Sequence, residues 1–231
     1  MFISPLGDSA VVIEFAKRGL DEAHSLVQAA YGRIGTLPSA FRKAVVPGYT
    51  TLTVYYDPLC IDYDVLRDRL RSLLCDVVPV FADVTEAVDI PVCYGGDYGP
   101  DIELVAAFAG IPETEVIRLH TEATYTVYMI GFAPGFPYLG GLDQRIAIPR
   151  RSTPRVSIPA GSVGIAGAQT GVYPNESPGG WQVIGRTPIR LFDARMDFPS
   201  LLKPGDKVHF RPISEAEFER LARQTKGVGK G

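Results

Sequence analysis

The stretch GFAPGFPYLGGL (131–142), with IPAGSVGIAGAQTGVYPNESPGGWQVIG (158–185) behind it, decides how this chain is read. Residues 131–185 hold eleven of the 24 glycines and seven of the 19 prolines, interleaved with Phe132, Phe136, Tyr138, Tyr173 and Trp181. Flexible linkers dilute glycine with serine and other polar residues. Here each turn residue is followed by one that gains by burial. The stretch therefore reads as short strands joined by loops whose backbone is set by glycine and proline. Function is expected on those loops.

Working outward, Tyr125–Ile130, Val156–Ile158, Val163–Ala166, Trp181–Ile184, Ile189–Phe192 and Lys207–Arg211 are short strand candidates separated by turn signals, the pattern of a barrel or sandwich. Upstream, Val88–Cys93 leads through the loop Tyr94–Gly99 into two helical patterns. These are Asp101–Ala109, stopped by Gly110, and Pro112–His120, with proline near a helix start. Downstream, Glu215–Arg223 predicts one or two helical turns, and KGVGKG (226–231) a frayed end.

The first 85 residues read differently. Ala10–Phe15 is a strand candidate, and Ala23, Leu26, Val27, Ala30 and Ile34 recur on one face of a helix. Ala44–Val46 and Thr51–Tyr56 flank a turn at Pro47–Thr50; Asp62 can cap a second helix striped by Leu66, Leu70, Leu73 and Leu74. A closing strand is placed in Val77–Val84. That order is a split βαβ, ferredoxin-like unit. The expected class is α+β: a small α/β domain at 1–85, a β-barrel at 86–214 and a C-terminal tail at 215–231.

Composition narrows the function. Of 231 residues 46% are hydrophobic, enough for one large domain or two ordinary ones. Lysine plus arginine (23) nearly balance aspartate plus glutamate (26), for a net charge of −3, so the footprint of a nucleic-acid binder is missing. No apolar run reaches the ~18 residues of a membrane span. The start MFISPLGDSA has no basic, apolar signal-peptide pattern. Cys60, Cys75 and Cys93 are an odd count without CxxC spacing. That argues against a disulfide framework or zinc site and for a reducing cytoplasm.

Four strings carry a resemblance: PVCYGGDYGPD (91–101), GFAPGFPYLGGL (131–142), PRRSTPRVSIPAGSVGIAGAQTGVYPNESPGGWQVIGRTPIRLFD (149–193) and LLKPGDKVHF (201–210). Together with PGYTTLTVYYDP (47–58) they resemble the family of 5-oxoprolinase B subunits, also described as kinase-inhibitor or allophanate-hydrolase-subunit-1-like. The resemblance implies a cyclophilin-like barrel after the α/β domain. It also implies a bacterial complex with a homologous, barrel-bearing C subunit and a separate A subunit, opening 5-oxo-L-proline to L-glutamate with ATP hydrolysis. Two other functions attach to similar domains: inhibition of a sporulation-type histidine kinase, and one half of a urea-carboxylase-like carboxyltransferase. The latter lacks support in the chain, whose methionines, Met1, Met129 and Met196, frame no biotin-carrier lysine.

The residues themselves offer candidates. Arg150, Arg151 and Arg155 place three guanidiniums within six positions, and guanidinium forks match carboxylates and phosphates. A solvated turn or an intersubunit ion-pair patch is the competing explanation. Arg155 is taken as substrate-binding, and Arg150 and Arg151 as anion-binding. His120, between a helix and the strand at Tyr125, is expected to lean over the barrel mouth as catalytic acid–base, or else to serve only as a helix-end histidine. Tyr138 can wall a pocket for a small ring. Gln169, Thr170 and Tyr173 supply neutral polar groups suited to a lactam. Neither GxxxxGK[ST] nor a strand–GxGxxG–helix occurs, so any ATP site is not a P-loop. No metal cluster is expected, and no full catalytic set is visible, as in a protein that supplies half a site.

Overall fold

Alternation in the early strands and 3.6-residue periodicity in the early helices give the first unit its two faces. In the computed structural model, which describes residues 1–15, 20–79 and 87–227, the chain divides into two compact units, Met1–Asp83 and Val84–Gly231. The first contains β1 (Phe2–Pro5), β2 (Ala10–Glu14), α1 (Leu20–Gly35), β3 (Ala44–Pro47), β4 (Thr51–Tyr55) and α2 (Tyr63–Leu74). Its sheet runs β1-β2-β4-β3 with every neighbouring pair antiparallel. β2 and β3 therefore run the same way, with β4 between them and α1 as the crossover, which is the split βαβ.

Val11, Ile13, Leu52 and Val54 on one face of the sheet bury against Ala23, Leu26, Val27, Ala30 and Ile34 of α1 and Leu66, Leu70 and Leu74 of α2. Each large apolar side chain so buried contributes roughly 1.5–3 kcal/mol. A closing strand was expected in Val77–Val84. Residues 77–79 carry no strand, 80–84 lie outside the described residues, and β1 occupies the place beside β2. Asp62 precedes α2, but its side chain makes no capping hydrogen bond.

The second unit holds β5 (Val88–Tyr94), α3 (Ile102–Ala109), α4 (Glu113–Glu122), β6 (Tyr125–Ile130), β7 (Pro137–Gly140), β8 (Arg155–Ile158), β9 (Ser162–Ala166), β10 (Gln169–Val172), β11 (Ser177–Gly179), β12 (Gln182–Arg186), β13 (Lys207–Pro212) and α5 (Glu215–Gly227). Seven strands close into a barrel in the order β10-β7-β6-β13-β5-β12-β9, while β8 and β11 pair as a separate ribbon. Closure removes the exposed edges that open sheets must protect. Ile90, Val92, Val127, Leu139, Val163, Ile165, Val172 and Val208 fill its core beneath α3 and α4. Gly110 ends α3 in the left-handed conformation (φ +67°), its N–H donating to the carbonyls of Ala106 and Ala107.

Three differences from the sequence reading concern this unit. Ile189–Phe192 is not a strand; only Phe192 bridges, to Ser200. β7, β10 and β11 are strands where loops were expected. The one or two helical turns expected over Glu215–Arg223 are a longer helix of 13 residues, Glu215–Gly227, with Phe218 buried 4.5 Å, ring to ring, from Tyr98.

Candidate functional site

The two glycine-rich strings fold so that their aromatic residues meet outside the main barrel core. Phe136, Tyr173 and Trp181 are buried with Ile158, Ala166 and Val183, and Tyr138 packs against them. Their rings pack edge to face: Phe136 lies 4.8 Å from Tyr138, 5.2 Å from Tyr173 and 5.4 Å from Trp181. Gly179 makes this possible. A Cβ there would come within 2.5 Å of the Tyr173 hydroxyl.

Above these rings lies a cleft of about 90 Å³, lined by Phe132, Phe136, Tyr138, Arg150, Tyr173, Gly179, Gly180 and Trp181. Arg150 supplies its charge. The guanidinium carbon lies 6.0 Å from the centroid of the Trp181 ring, and Arg150 forms no ion pair among the described residues. Burial holds the Tyr173 phenol above its ordinary pKa, against the opposing pull of the Trp181 backbone and the Arg150 charge. Tyr173 therefore stays a protonated donor at neutral pH. Apolar walls, two tyrosines and one guanidinium can hold a small flat molecule carrying a carboxylate.

The other two arginines are committed elsewhere. Arg155 donates from Nη1 and Nη2 to both oxygens of Asp101 at 2.7 Å each, and Arg151 Nη1 reaches the same carboxylate at 3.1 Å. Asp101 is 3% exposed, and Val183 N–H also donates to it at 2.7 Å. Arg155 is thus not available as the substrate anchor assigned to it from sequence, nor Arg151 as an anion site. Both are ion-pair partners of Asp101 within the chain. Asp101, read from the sequence only as the start of a helical pattern, was missed. Three arginines close together call for carboxylates, but Asp101 shares its stretch with Asp97 and Glu103, so spacing alone does not single it out.

His120 does not lean over a barrel mouth. It is 0% exposed, packed on Phe210 at 4.5 Å between ring centroids, with Tyr94 Oη 2.8 Å from Nδ1 and Thr170 Oγ1 2.9 Å from Nε2. Thr170 donates its hydroxyl to Gly164 C=O at 3.0 Å. It accepts from Nε2–H in turn, which leaves Nδ1 to accept the Tyr94 proton. Burial lowers the His120 pKa to about 3 and raises the Tyr94 phenol well above its usual value. This is a neutral strut inside the barrel, closed to substrate. Thr170 belongs to the strut, and half-buried Gln169 begins β10 opposite Ala166, outside the cleft lining. Of the residues singled out by sequence, Tyr138, Tyr173 and Arg150 converge on the cleft. Phe132, named there only among the interleaved aromatics, joins them.

Among the described residues no three His, Cys, Asp or Glu side chains are placed to hold a metal ion, and no helix is long and apolar enough to cross a membrane.

The barrel with its appended sheet defines the class. The chain belongs to the family described as carboxyltransferase domain, subdomain C and D, whose profile matches residues 1–202. Within it the chain falls with the B subunits of 5-oxoprolinase. It is 46% identical over 230 residues to the 5-oxoprolinase B subunit of Bacillus subtilis, covering 94% of each chain. It is 40% identical over 211 residues to the 5-oxoprolinase B subunit of Escherichia coli O157:H7, covering 91% of this chain and 95% of that one. Crystallographic urea carboxylase of Kluyveromyces lactis superposes with a TM-score of 0.80 at 20% identity, over 96% of this chain and 22% of that one, a likeness of fold.

Proposed function

We propose that this chain is one component of an ATP-dependent 5-oxoprolinase, cytoplasmic, working with a homologous, barrel-bearing C subunit and a separate A subunit to open 5-oxo-L-proline to L-glutamate. The observation that carries this reading is the match to the 5-oxoprolinase B subunit along nearly the whole of both chains. In the same reading the barrel is cyclophilin-like, and the first unit is a ferredoxin-like sheet whose fourth strand has moved to the N-terminus.

The aromatic cleft suits the lactam. Arg150 would pair with its carboxylate, Tyr173 and Tyr138 would donate to the ring carbonyl, and Phe136 and Trp181 would exclude water from the ring faces. The chain has no P-loop, so ATP and the activation it supplies are assigned to a partner protein. The contribution of this chain is to hold and orient the ring. Alone it should release no glutamate; mixing it with both partners should restore ATP-dependent release. Turnover by the isolated chain, or none from the full set, would refute the reading.

The family match favours a second reading, half of a carboxyltransferase. A biotin-dependent transfer of carboxylate, absent in the first case, would distinguish it.

A further inference from the structure

Phe132 is the only residue other than glycine with a positive φ among the described residues, at +69°. It is the middle of a three-residue turn closed by Ala133 N–H donating to Gly131 C=O at 2.8 Å. This hand of turn is rare, because it crowds the side chain against the backbone, and a bulky residue there is strained. The strain is not repaid by burial, since the residue is 64% exposed. Two hydrogen bonds hold the base of the loop, Gly131 N–H to Phe136 C=O at 3.1 Å and Phe136 N–H to Ala133 C=O at 3.0 Å. The ring stands edge-on to Phe136 at 5.5 Å and to Tyr173 at 6.3 Å, at the mouth of the cleft.

A side chain that is strained, exposed and part of a cleft wall is explained by what enters the cleft. We propose that Phe132 is the roof of this site: its ring covers the apolar face of a small ring-shaped carboxylate whose charge is held by Arg150. The ligand class follows from the lining. Aromatic rings surround a space of about 90 Å³, and the guanidinium at its rim forms no ion pair among the described residues. A five-membered ring with a carboxylate meets both demands; a bare carboxylate meets one. The roof needs only a side-chain rotation, because the turn beneath it is pinned. The inference rests on the reading above only in taking a lactam as the first probe.

The test uses Trp181, the single tryptophan of the chain and a wall of the cleft, as its reporter. The full-length chain is titrated with 5-oxoproline, cyclopentanecarboxylate, 2-pyrrolidone and acetate while Trp181 emission is followed. At least one ring carboxylate should bind about tenfold or more tightly than 2-pyrrolidone and acetate, and Phe132→Gly and Phe132→Ala should weaken it about tenfold. Phe132→Gly should melt at or above the wild-type temperature, and above Phe132→Ala, because glycine removes the strain together with the ring. A merely structural phenylalanine would give the opposite order. Unchanged affinity in Phe132→Gly, no response to any of the four probes, or a large drop in melting temperature would overturn the roof. Phe132-dependent binding of cyclopentanecarboxylate without binding of 5-oxoproline would keep the roof and remove the lactam reading.

Discussion

The carboxylate of Asp101 and the guanidinium of Arg155 form a two-pronged ion pair, with both N–O distances 2.7 Å. It joins three pieces of chain that are distant in sequence. Asp101 precedes α3; Arg155 and Arg151 belong to the segment that carries Arg150; Val183, whose N–H also reaches the carboxylate, is two residues from Trp181. Arg151 N–H donates to Gly180 C=O at 2.7 Å and ties that segment to the cleft floor. The geometry of the cleft therefore depends on a carboxylate that does not line it.

Removing that carboxylate should cost more than removing either arginine. Asp101→Ala leaves two guanidiniums facing each other and Val183 N–H without its acceptor, a loss of about 3–5 kcal/mol for a broken buried pair. Arg155→Met leaves Asp101 with Arg151 and Val183 N–H, and the Arg155 side chain is already 26% exposed, so about 1–3 kcal/mol is expected. Urea unfolding of the two variants gives the comparison. A larger loss for Arg155→Met than for Asp101→Ala would contradict the arrangement.

Arg150 should behave in the opposite way. It has no carboxylate partner among the described residues and sits over the Trp181 ring, so Arg150→Gln should leave the melting temperature nearly unchanged. Its loss would appear in ligand binding. A charge-assisted hydrogen bond contributes about 1.5–3 kcal/mol, a roughly tenfold to hundredfold loss of affinity for a carboxylate ligand. Calorimetry on wild type and Arg150→Gln reads both quantities. Equal affinities would remove Arg150 from the site.

Gly179 and Gly180 are neighbours with different tolerances. A Cβ at Gly179 would meet the Tyr173 hydroxyl at 2.5 Å and Ile158 Cδ1 at 2.8 Å, whereas at Gly180 the nearest atom is 3.7 Å away. Gly179→Ala should therefore push the Tyr173 ring out of place, cost about 1–3 kcal/mol by overpacking, and abolish the Trp181 response to ligand. Gly180→Ala serves as the control. Thermal melts and emission spectra of the pair decide it, and equivalent behaviour would mean that the aromatic packing is looser than described.

The helices were legible from sequence because one face of each is buried: all five residues of the α1 stripe are in the core, as are Leu66, Leu70 and Leu74 of α2. The barrel was legible as a class but not strand by strand. β9 matches the strand expected at Val163–Ala166 to within one residue, whereas β7 and β10, four residues each with one glycine, have no apolar run long enough to mark them. Sequence brought Tyr138, Tyr173 and Arg150 to the site because aromatic and charged residues in glycine-rich loops suggest a cleft. It could not separate Arg150 from Arg155, since the deciding partner, Asp101, lies about fifty residues upstream. His120 misled for a similar reason. Its partners, Tyr94 and Thr170, come from β5 and β10, and only the closed barrel brings them together.

The His120 strut predicts a pH dependence with a definite sign. Burial holds the folded-state pKa at about 3, against the ordinary value of 6.5, so the unfolded chain takes up a proton that the folded chain refuses. The contribution of neutral His120 is complete above pH 6.5 and is lost as pH falls from there toward 3, at up to about 1.4 kcal/mol per pH unit. Carboxylates add their own loss below about pH 4.5, and His24 and His209 are common to both proteins, so between pH 6.5 and 4.5 the difference between wild type and a His120 variant isolates His120. His120→Gln should be less stable at pH 7, because a buried hydrogen-bonded network is disturbed, yet its stability should change less with pH across that window. Urea unfolding of both proteins at half-unit steps measures the two slopes. Equal slopes would mean that His120 takes up a proton in the folded state, in which case it is neither neutral nor sealed from solvent.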